Sequence, residues 1–127
     1  MSNDETLELI TIADNVSNLN DMIRAGQILD AFDKFYAQNV VMADNFTGDR
    51  VGFDAARAFE VSFVENLTEF RGAEVLEVAV DENAGLAFVK WHFDYTHKEW
   101  GVMDYVQVSV QKWENGKIVH ERFIYGS

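Results

Sequence analysis

The chain contains no cysteine and no proline. Without cysteine, disulfide bonds, thiolate nucleophiles and cysteine-based metal sites are excluded. Without proline there are no proline-rich linkers, and internal repeats and low-complexity segments are missing as well. The 127 residues therefore predict a single domain over residues 1–127, a length typical of one hydrophobic core.

Basic residues are scarce, with 10 Lys and Arg against 22 Asp and Glu and a formal net charge of −12. Nucleic-acid binding needs a basic surface that neutralises phosphates, so we expect no nucleic-acid partner. The same charge disfavours an anionic membrane surface. No apolar run approaches the roughly 20 residues of a membrane span, and residues 1–5 do not resemble a secretory signal. We expect a cytoplasmic protein without a membrane partner.

Apolar residues in the first half of the chain recur at three- and four-residue steps, which is typical of amphipathic helices. Helices are predicted over residues 6–24, 27–37 and 53–67. A short strand over 39–44 and a polar loop over 45–52 separate the second helix from the third. The buried side of the third helix is predicted to hold Phe53, Ala56, Phe59 or Glu60, Phe63 and Leu67.

From residue 71 onward the hydrophobic period changes to two, which is typical of strands. Four strands are predicted, over residues 74–80, 86–97, 102–113 and 117–125. Turn signals at 81–85 and 114–116 join them as hairpins. Helices followed by an antiparallel meander predict an α+β fold. Strands this long usually bend, and a bent sheet wraps around the helices.

Three strings in this order resemble the NTF2-like superfamily, in particular its SnoaL-like polyketide cyclase and ketosteroid isomerase-like members. They are FYAQNVVMAD at 35–44, GFDAARAFEVSF at 52–63 and WENGKIV at 113–119. The resemblance implies a cone-shaped barrel, in which three N-terminal helices pack in a strongly curved antiparallel sheet. It also implies a homodimer and a pocket for a small apolar or amphipathic molecule. We expect no cofactor.

Alternation along the strands predicts which side chains face that pocket. The apolar set Ala87, Val89, Trp91, Phe93 and Tyr95 should face inward and end at His97. On the next strand the valines at 106, 108 and 110 should face inward, unless a bulge before residue 113 reverses the phase. On the last strand the resemblance favours the face of residues 121 and 123. The predicted ligand-binding residues are Tyr36, Met42, Phe59, Phe63, Trp91, Phe93, Tyr95 and Phe123.

Asp44 is the first candidate catalytic residue. It ends a strand that enters an apolar interior, where desolvation makes a carboxylate a better general base. It also matches the catalytic base of ketosteroid isomerases. The alternative is a strand-end Asp that caps the following loop. The isomerases' oxyanion-binding Tyr falls near Asn20 and their protonated Asp at Val108 or Ser109, so steroid isomerisation by their mechanism is not expected.

His97 and Glu121 are two further candidates. The string WHFDYTH at 91–97 resembles SnoaL-like cyclases, and an imidazole there would transfer protons near neutral pH. The alternative is a turn residue beside Lys98. Glu121 lies on a predicted inner face, where a carboxylate must be paired or protonated. It is therefore either an acid/base partner of Asp44 or a member of a structural ion pair, with Arg57 or with a neighbour of Arg122. The cyclases' catalytic His and Asp align with Glu121 and Phe123, so their apparatus is not intact.

The chain lacks metal-ligand spacings, a glycine-rich phosphate loop and a nucleophile elbow, so we expect no metal and no nucleotide. Three functions remain open. The first is a homodimeric SnoaL-like protein that binds a small apolar molecule. The second is a cofactor-independent isomerase, cyclase or lyase with Asp44 as base and His97 or Tyr95 polarising the substrate. The third is a protein-interaction module without catalysis, whose interior is filled.

Overall fold

The computed structural model describes residues 10–45 and 47–126. Its helices are α1 (Ile12–Arg24), α2 (Ile28–Phe35) and α3 (Phe53–Glu65). Its strands are β1 (Tyr36–Asp44), β2 (Thr47–Val51), β3 (Leu67–Asp81), β4 (Leu86–His97), β5 (Gly101–Glu114) and β6 (Lys117–Tyr125). Residues 6–9 of the predicted first helix lie outside the described residues. None of the helices in the described part of the chain has the length and apolar character needed to cross a bilayer.

Local capping interactions mark the beginning of α1 and the turn that follows it. Thr11 caps α1 with a capping box, in which its hydroxyl accepts from the backbone of Asp14 and its own backbone donates to the Asp14 carboxylate. Gly26, with φ of 80°, follows the helix and allows the chain to turn into α2. Helix α2 buries Ala31, Phe32 and Phe35, and the ring of Phe35 packs edge-on against Trp113 of β5.

The six strands form one curved, unclosed sheet in the order β2-β1-β6-β5-β4-β3. The predicted meander of β3 to β6 is confirmed, with antiparallel pairing throughout. Strand β1 pairs with β6 in the parallel direction, which places Asp44 opposite Phe123. The three helices pack with this sheet, and the α+β cone expected from the sequence is confirmed.

The polar loop predicted over residues 45–52 is wrong, because Thr47–Val51 is strand β2. It pairs antiparallel with β1, where Val41 faces Val51 and Met42 faces Arg50. An edge strand has one solvated side, so it tolerates polar residues that a periodicity argument assigns to a loop. Strand β3 also begins at Leu67 instead of residue 74, because three irregularities in its pairing with β4 disrupt the period of two.

The predicted inner face of β4 is confirmed, since Ala87, Val89, Trp91, Tyr95 and His97 are all buried. The prediction for β5 is wrong. Before Trp113, the buried residues of β5 are polar, namely Gln107, Ser109 and Gln111. Val106, in contrast, is 44% exposed on the outer face. The phase of β5 itself does not reverse. The pairing of β5 with β6 does contain an irregularity before Trp113, but its extra residue belongs to β6, where the register shifts between Ile118 and His120.

Candidate functional site

A cavity of about 160 Å³ lies between the helices and the inner face of the sheet. Leucine, isoleucine and alanine side chains of α1 and α2 line one side of it. Phe32 of α2 also lines it, and its other walls are largely aromatic, with Phe63, Phe93 and Phe123 among them. Phe59, Trp100 and Tyr125 also line it and are 37%, 49% and 36% exposed, so the cavity opens to solvent along these three residues.

Six of the eight predicted ligand-binding residues line this cavity: Tyr36, Phe59, Phe63, Phe93, Tyr95 and Phe123. The other two, Met42 and Trp91, are buried in the core and do not line it. Trp91 stacks on Phe93 at 5.1 Å between ring centroids, so it lies one layer behind the wall. Alternation assigns a residue to a face of the sheet, but the distance along the strand decides whether it reaches the cavity.

Asp44 lines the cavity at the end of β1. Its neighbour Asn45, in the left-handed region at φ of 48°, turns the chain toward β2. The Asn45 backbone donates to the Phe123 carbonyl at 2.6 Å, and its side-chain oxygen accepts from the Tyr125 backbone at 3.0 Å. These bonds hold Asp44 against β6. The guanidinium of Arg50 lies 3.4 Å from the Asp44 carboxylate, so the carboxylate has a cationic neighbour.

Three phenols from neighbouring strands line the wall near Asp44. Tyr95 and Tyr105 share a hydrogen bond of 2.9 Å between their hydroxyls, and the Tyr105 and Tyr125 rings lie 5.8 Å apart. Burial raises the pKa of all three phenols, and the nearby Asp44 charge adds to the effect. They are therefore protonated at neutral pH, and this wall offers O–H donors beside a carboxylate.

Glu60 is a second carboxyl group at the cavity, carried by α3 next to Phe59. Burial, followed by repulsion from Glu121, raises its pKa to about 7, while Arg50 opposes the rise. Near neutral pH, Glu60 is consequently divided between its acid and its carboxylate form. A carboxyl group that titrates in this range can donate or accept a proton under physiological conditions.

Glu121 is buried behind the cavity wall and accepts three hydrogen bonds. Tyr36 donates to one carboxylate oxygen, and Ser109 and Gln111 donate to the other, Gln111 at 3.2 Å. Trp113 donates in turn to the Gln111 amide oxygen at 2.9 Å. Burial raises the pKa of Glu121, and the donated hydrogen bonds oppose that rise. This network is the reason that the inner face of β5 is polar.

The predicted pairing of Glu121 with Arg57 does not occur, because Arg57 bonds Asp33 at 2.7 Å. Glu121 and Asp44 both belong to the inner side of the sheet, but only Asp44 lines the cavity. Glu121 does not line it, and its contacts with Tyr36 and β5 give it a structural position.

His97 is buried behind Trp100, with the two rings stacked 3.7 Å apart, and its ring does not line the cavity. Its Nδ1 accepts a hydrogen bond of 3.1 Å from the Glu99 backbone, which fixes that nitrogen as the acceptor. The ring therefore supports Trp100 at the mouth of the cavity. Among residues 10–45 and 47–126, no group of three His, Asp or Glu side chains is arranged to hold a metal ion.

The sequence reasoning missed several lining residues. Tyr105 and Gln107 line the cavity, but they lie on the face of β5 that alternation predicts to be the outer one. Glu60 was named only as an alternative to Phe59, and both side chains reach the cavity. Neighbouring residues of a helix are about 100° apart, so a wide cavity can contact both. Trp100 lies in a turn, for which periodicity offers no signal.

A family model described as a SnoaL-like domain matches residues 16–121. The chain belongs to this SnoaL-like family. The match agrees with the order of helices and strands, and it covers every element except part of α1 and the end of β6. No match was found among curated proteins.

Solved structures share this fold. A SnoaL-like candidate polyketide cyclase from Mesorhizobium loti is 26% identical, covering 89% of this chain and 97% of that one with a TM-score of 0.77. A candidate cyclase of the same description from a Jannaschia species is 14% identical, covering 92% and 88% with a TM-score of 0.75. An NTF2-like protein of unknown function from Burkholderia xenovorans is 18% identical, covering 91% and 83% with a TM-score of 0.72.

The Glu121 network predicts a large stability effect. Replacing Glu121 by Leu should lower the free energy of unfolding by about 3–5 kcal/mol, because three buried donors lose their acceptor. Glu121→Gln should cost less, since its amide oxygen still accepts one bond. Urea unfolding followed by circular dichroism measures both changes. Glu114→Leu, at an exposed position of the β5–β6 hairpin, is the control, and an equal loss in both Leu variants would contradict a structural role for Glu121.

Proposed function

We propose that this SnoaL-like protein binds one small, mostly apolar molecule in the cavity. The observation that supports this most directly is the division of its walls. Aliphatic and phenylalanine side chains line most of the surface, while the hydroxyls of Tyr95 and Tyr105 lie on one side of it. Ligand sites typically combine an apolar surface with a few placed polar groups that orient the ligand.

The volume limits the part of the ligand that is enclosed. An engineered cavity of roughly 150 Å³ lined by Leu, Ile and Phe binds benzene, so about 160 Å³ accommodates one six-membered ring with a small substituent. A fused-ring molecule would have to extend through the mouth, past Phe59 and Trp100. The size of the cavity therefore favours a compact ligand over a steroid-sized one.

Filling the cavity should abolish binding. Ala31 is buried in α2 and lines the cavity, so Ala31→Leu places three more carbon atoms in it. The variant should bind benzyl alcohol at least about tenfold more weakly, with an unchanged or higher melting temperature because a void is filled. Isothermal titration calorimetry measures the affinity, and thermal unfolding measures the stability.

The matched control for Ala31→Leu is Ala58→Leu, which adds the same group at an exposed position of α3. It should leave the affinity for benzyl alcohol unchanged. If Ala31→Leu bound benzyl alcohol as tightly as the native chain and remained folded, the ligand site would lie elsewhere and the proposal would fail.

A second candidate function is cofactor-independent proton transfer. The arrangement that favours it is a carboxylate, Asp44, at the same cavity as the hydrogen-bonded phenols Tyr95 and Tyr105. Asp44 would remove a proton next to the carbonyl group of a bound ketone, and the phenol whose O–H is not used in the Tyr95–Tyr105 bond would donate a hydrogen bond to the enolate oxygen. Return of a proton to the same carbon completes a hydrogen exchange, and delivery of the proton to a different carbon of a conjugated enolate completes an isomerisation. Neither reaction needs a cofactor.

Exchange of the methyl hydrogens of acetophenone in D2O tests this chemistry by proton NMR. The native chain should accelerate exchange by about 10²–10⁴ over buffer, and Asp44→Asn should return the rate to that of buffer. Asp49→Asn, which removes an exposed carboxylate from β2, should retain the native rate. Native exchange no faster than buffer, or an undiminished rate in Asp44→Asn, would eliminate this function.

The homodimer stays a prediction. Its support is a stripe of valines on the outer face of β5, at positions 106, 108 and 110, with Phe88 beside it at 38% exposed. An apolar stripe on the outer face of a sheet suits a second copy of the same surface. Under the interaction-module hypothesis the same stripe would be the functional surface.

A further inference from the structure

The charged side chains that line the cavity are all acidic. Asp44 and Glu60 line it, and none of its lining residues in the described part of the chain is lysine, arginine or histidine. Arg50 lies outside the lining, where its guanidinium covers one face of Phe59 at 4.0 Å and approaches Asp44. A ligand in the cavity therefore meets negative charge and no lining cation.

In the part of the chain that the structure describes, no counter-charge lies at bonding distance from the carboxyl group of Glu60. Among residues 10–45 and 47–126 it takes part in no ion pair and no hydrogen bond, although it lies at the cavity surface beside Phe59. An ionised carboxylate in a partly desolvated site is costly unless a donor or a cation compensates it. The cavity is the space from which such a partner can reach Glu60.

The aromatic walls suit a cation as well as an apolar ring. Ring faces attract cations through their quadrupole. Phe32, Phe63 and Phe93 present rings to the cavity within the same enclosure as the two acids. The Arg50 guanidinium over Phe59 shows that a ring at the edge of this cavity already holds a cation on one face.

We propose that the bound molecule is a ring-sized apolar amine, whose protonated nitrogen lies between Glu60 and Asp44 and whose ring packs among the phenylalanines. This inference rests on the proposed small-molecule binding and specifies the chemical class of the ligand. A carboxylate of the same size would be repelled by both acids, and a neutral alcohol would leave ionised Glu60 without a counter-charge. The net charge of −12 also favours the encounter with a cation.

The titration of Glu60 should make the affinity for an amine depend on pH. Its pKa of about 7 means that most molecules carry the neutral acid at pH 6 and the carboxylate at pH 8. Asp44, Glu121, Arg50 and Tyr36 are the other ionisable groups around it. An ammonium binds the carboxylate form, so the affinity should rise with pH through this range as less proton release is required.

The experiment compares benzylamine, benzyl alcohol and benzoate, three probes with the same ring and different charge, by isothermal titration calorimetry at pH 8. Benzylamine should bind about tenfold more tightly than benzyl alcohol, and benzoate about tenfold more weakly than the alcohol. Lowering the pH to 6 should weaken benzylamine binding by about five- to tenfold and leave benzyl alcohol unaffected.

Glu60→Gln keeps the size of the side chain and removes its charge. It should abolish most of the preference for benzylamine over benzyl alcohol, and it should remove the pH dependence of that preference. Glu65→Gln is the matched control, because Glu65 lies on the same helix with its side chain exposed to solvent. It removes the same net charge and should retain the native preference.

The outcomes separate this inference from the proposed function. If benzyl alcohol bound as tightly as benzylamine, or if Glu60→Gln retained the amine preference, the amine inference would be wrong and small-molecule binding would stand. If neither benzylamine nor benzyl alcohol bound the native chain, both proposals would fail. A tenfold preference that is lost in Glu60→Gln and kept in Glu65→Gln supports the amine inference.

Discussion

The interior of this protein depends on the burial of one carboxylate, that of Glu121. Removing a carboxylate from water is unfavourable unless donors replace the lost solvent. Here Tyr36, Ser109 and Gln111 supply those donors, and Gln111 is in turn held by Trp113. The network joins the start of β1 to the centres of β5 and β6, so the position of the cavity wall follows from it.

The same network explains the distribution of polarity across the sheet. Because the inner face of β5 is occupied by the polar partners of Glu121, the valines of that strand are on the outer face. The apolar interior is then supplied by β4 and the helices instead. The cavity lies beside this network, and the phenols Tyr95, Tyr105 and Tyr125 line it.

Two acids at the cavity differ in their surroundings, and this difference gives the site its chemical character. Asp44 has Arg50 close to its carboxylate and phenols beside it, which suits a charged base or an anionic anchor. Glu60 is desolvated by burial and repelled by Glu121, and these effects raise its pKa to about 7, although Arg50 opposes the rise. Under the proposed function, a cavity that combines these groups with aromatic walls would select its ligand by size and by charge together.

The amino-acid sequence by itself determined the α+β class, the three helices, the meander of β3 to β6 and the inner face of β4, because these follow from local periodicity and turn chemistry. The Asn115–Gly116 hairpin illustrates this, since both residues adopt the positive φ that their types favour. The tertiary structure alone decided the edge strand β2, the faces of β5 and the approach of Glu60 to the cavity. Each depends on pairing or packing that hydrophobic periodicity does not encode: β2 paired at the edge of β1, Glu121 opposite Gln111, and Glu60 of α3 reaching the cavity beside Phe59. A period of two cannot distinguish a polar face that meets water from one that meets a buried carboxylate, because both show the same alternation.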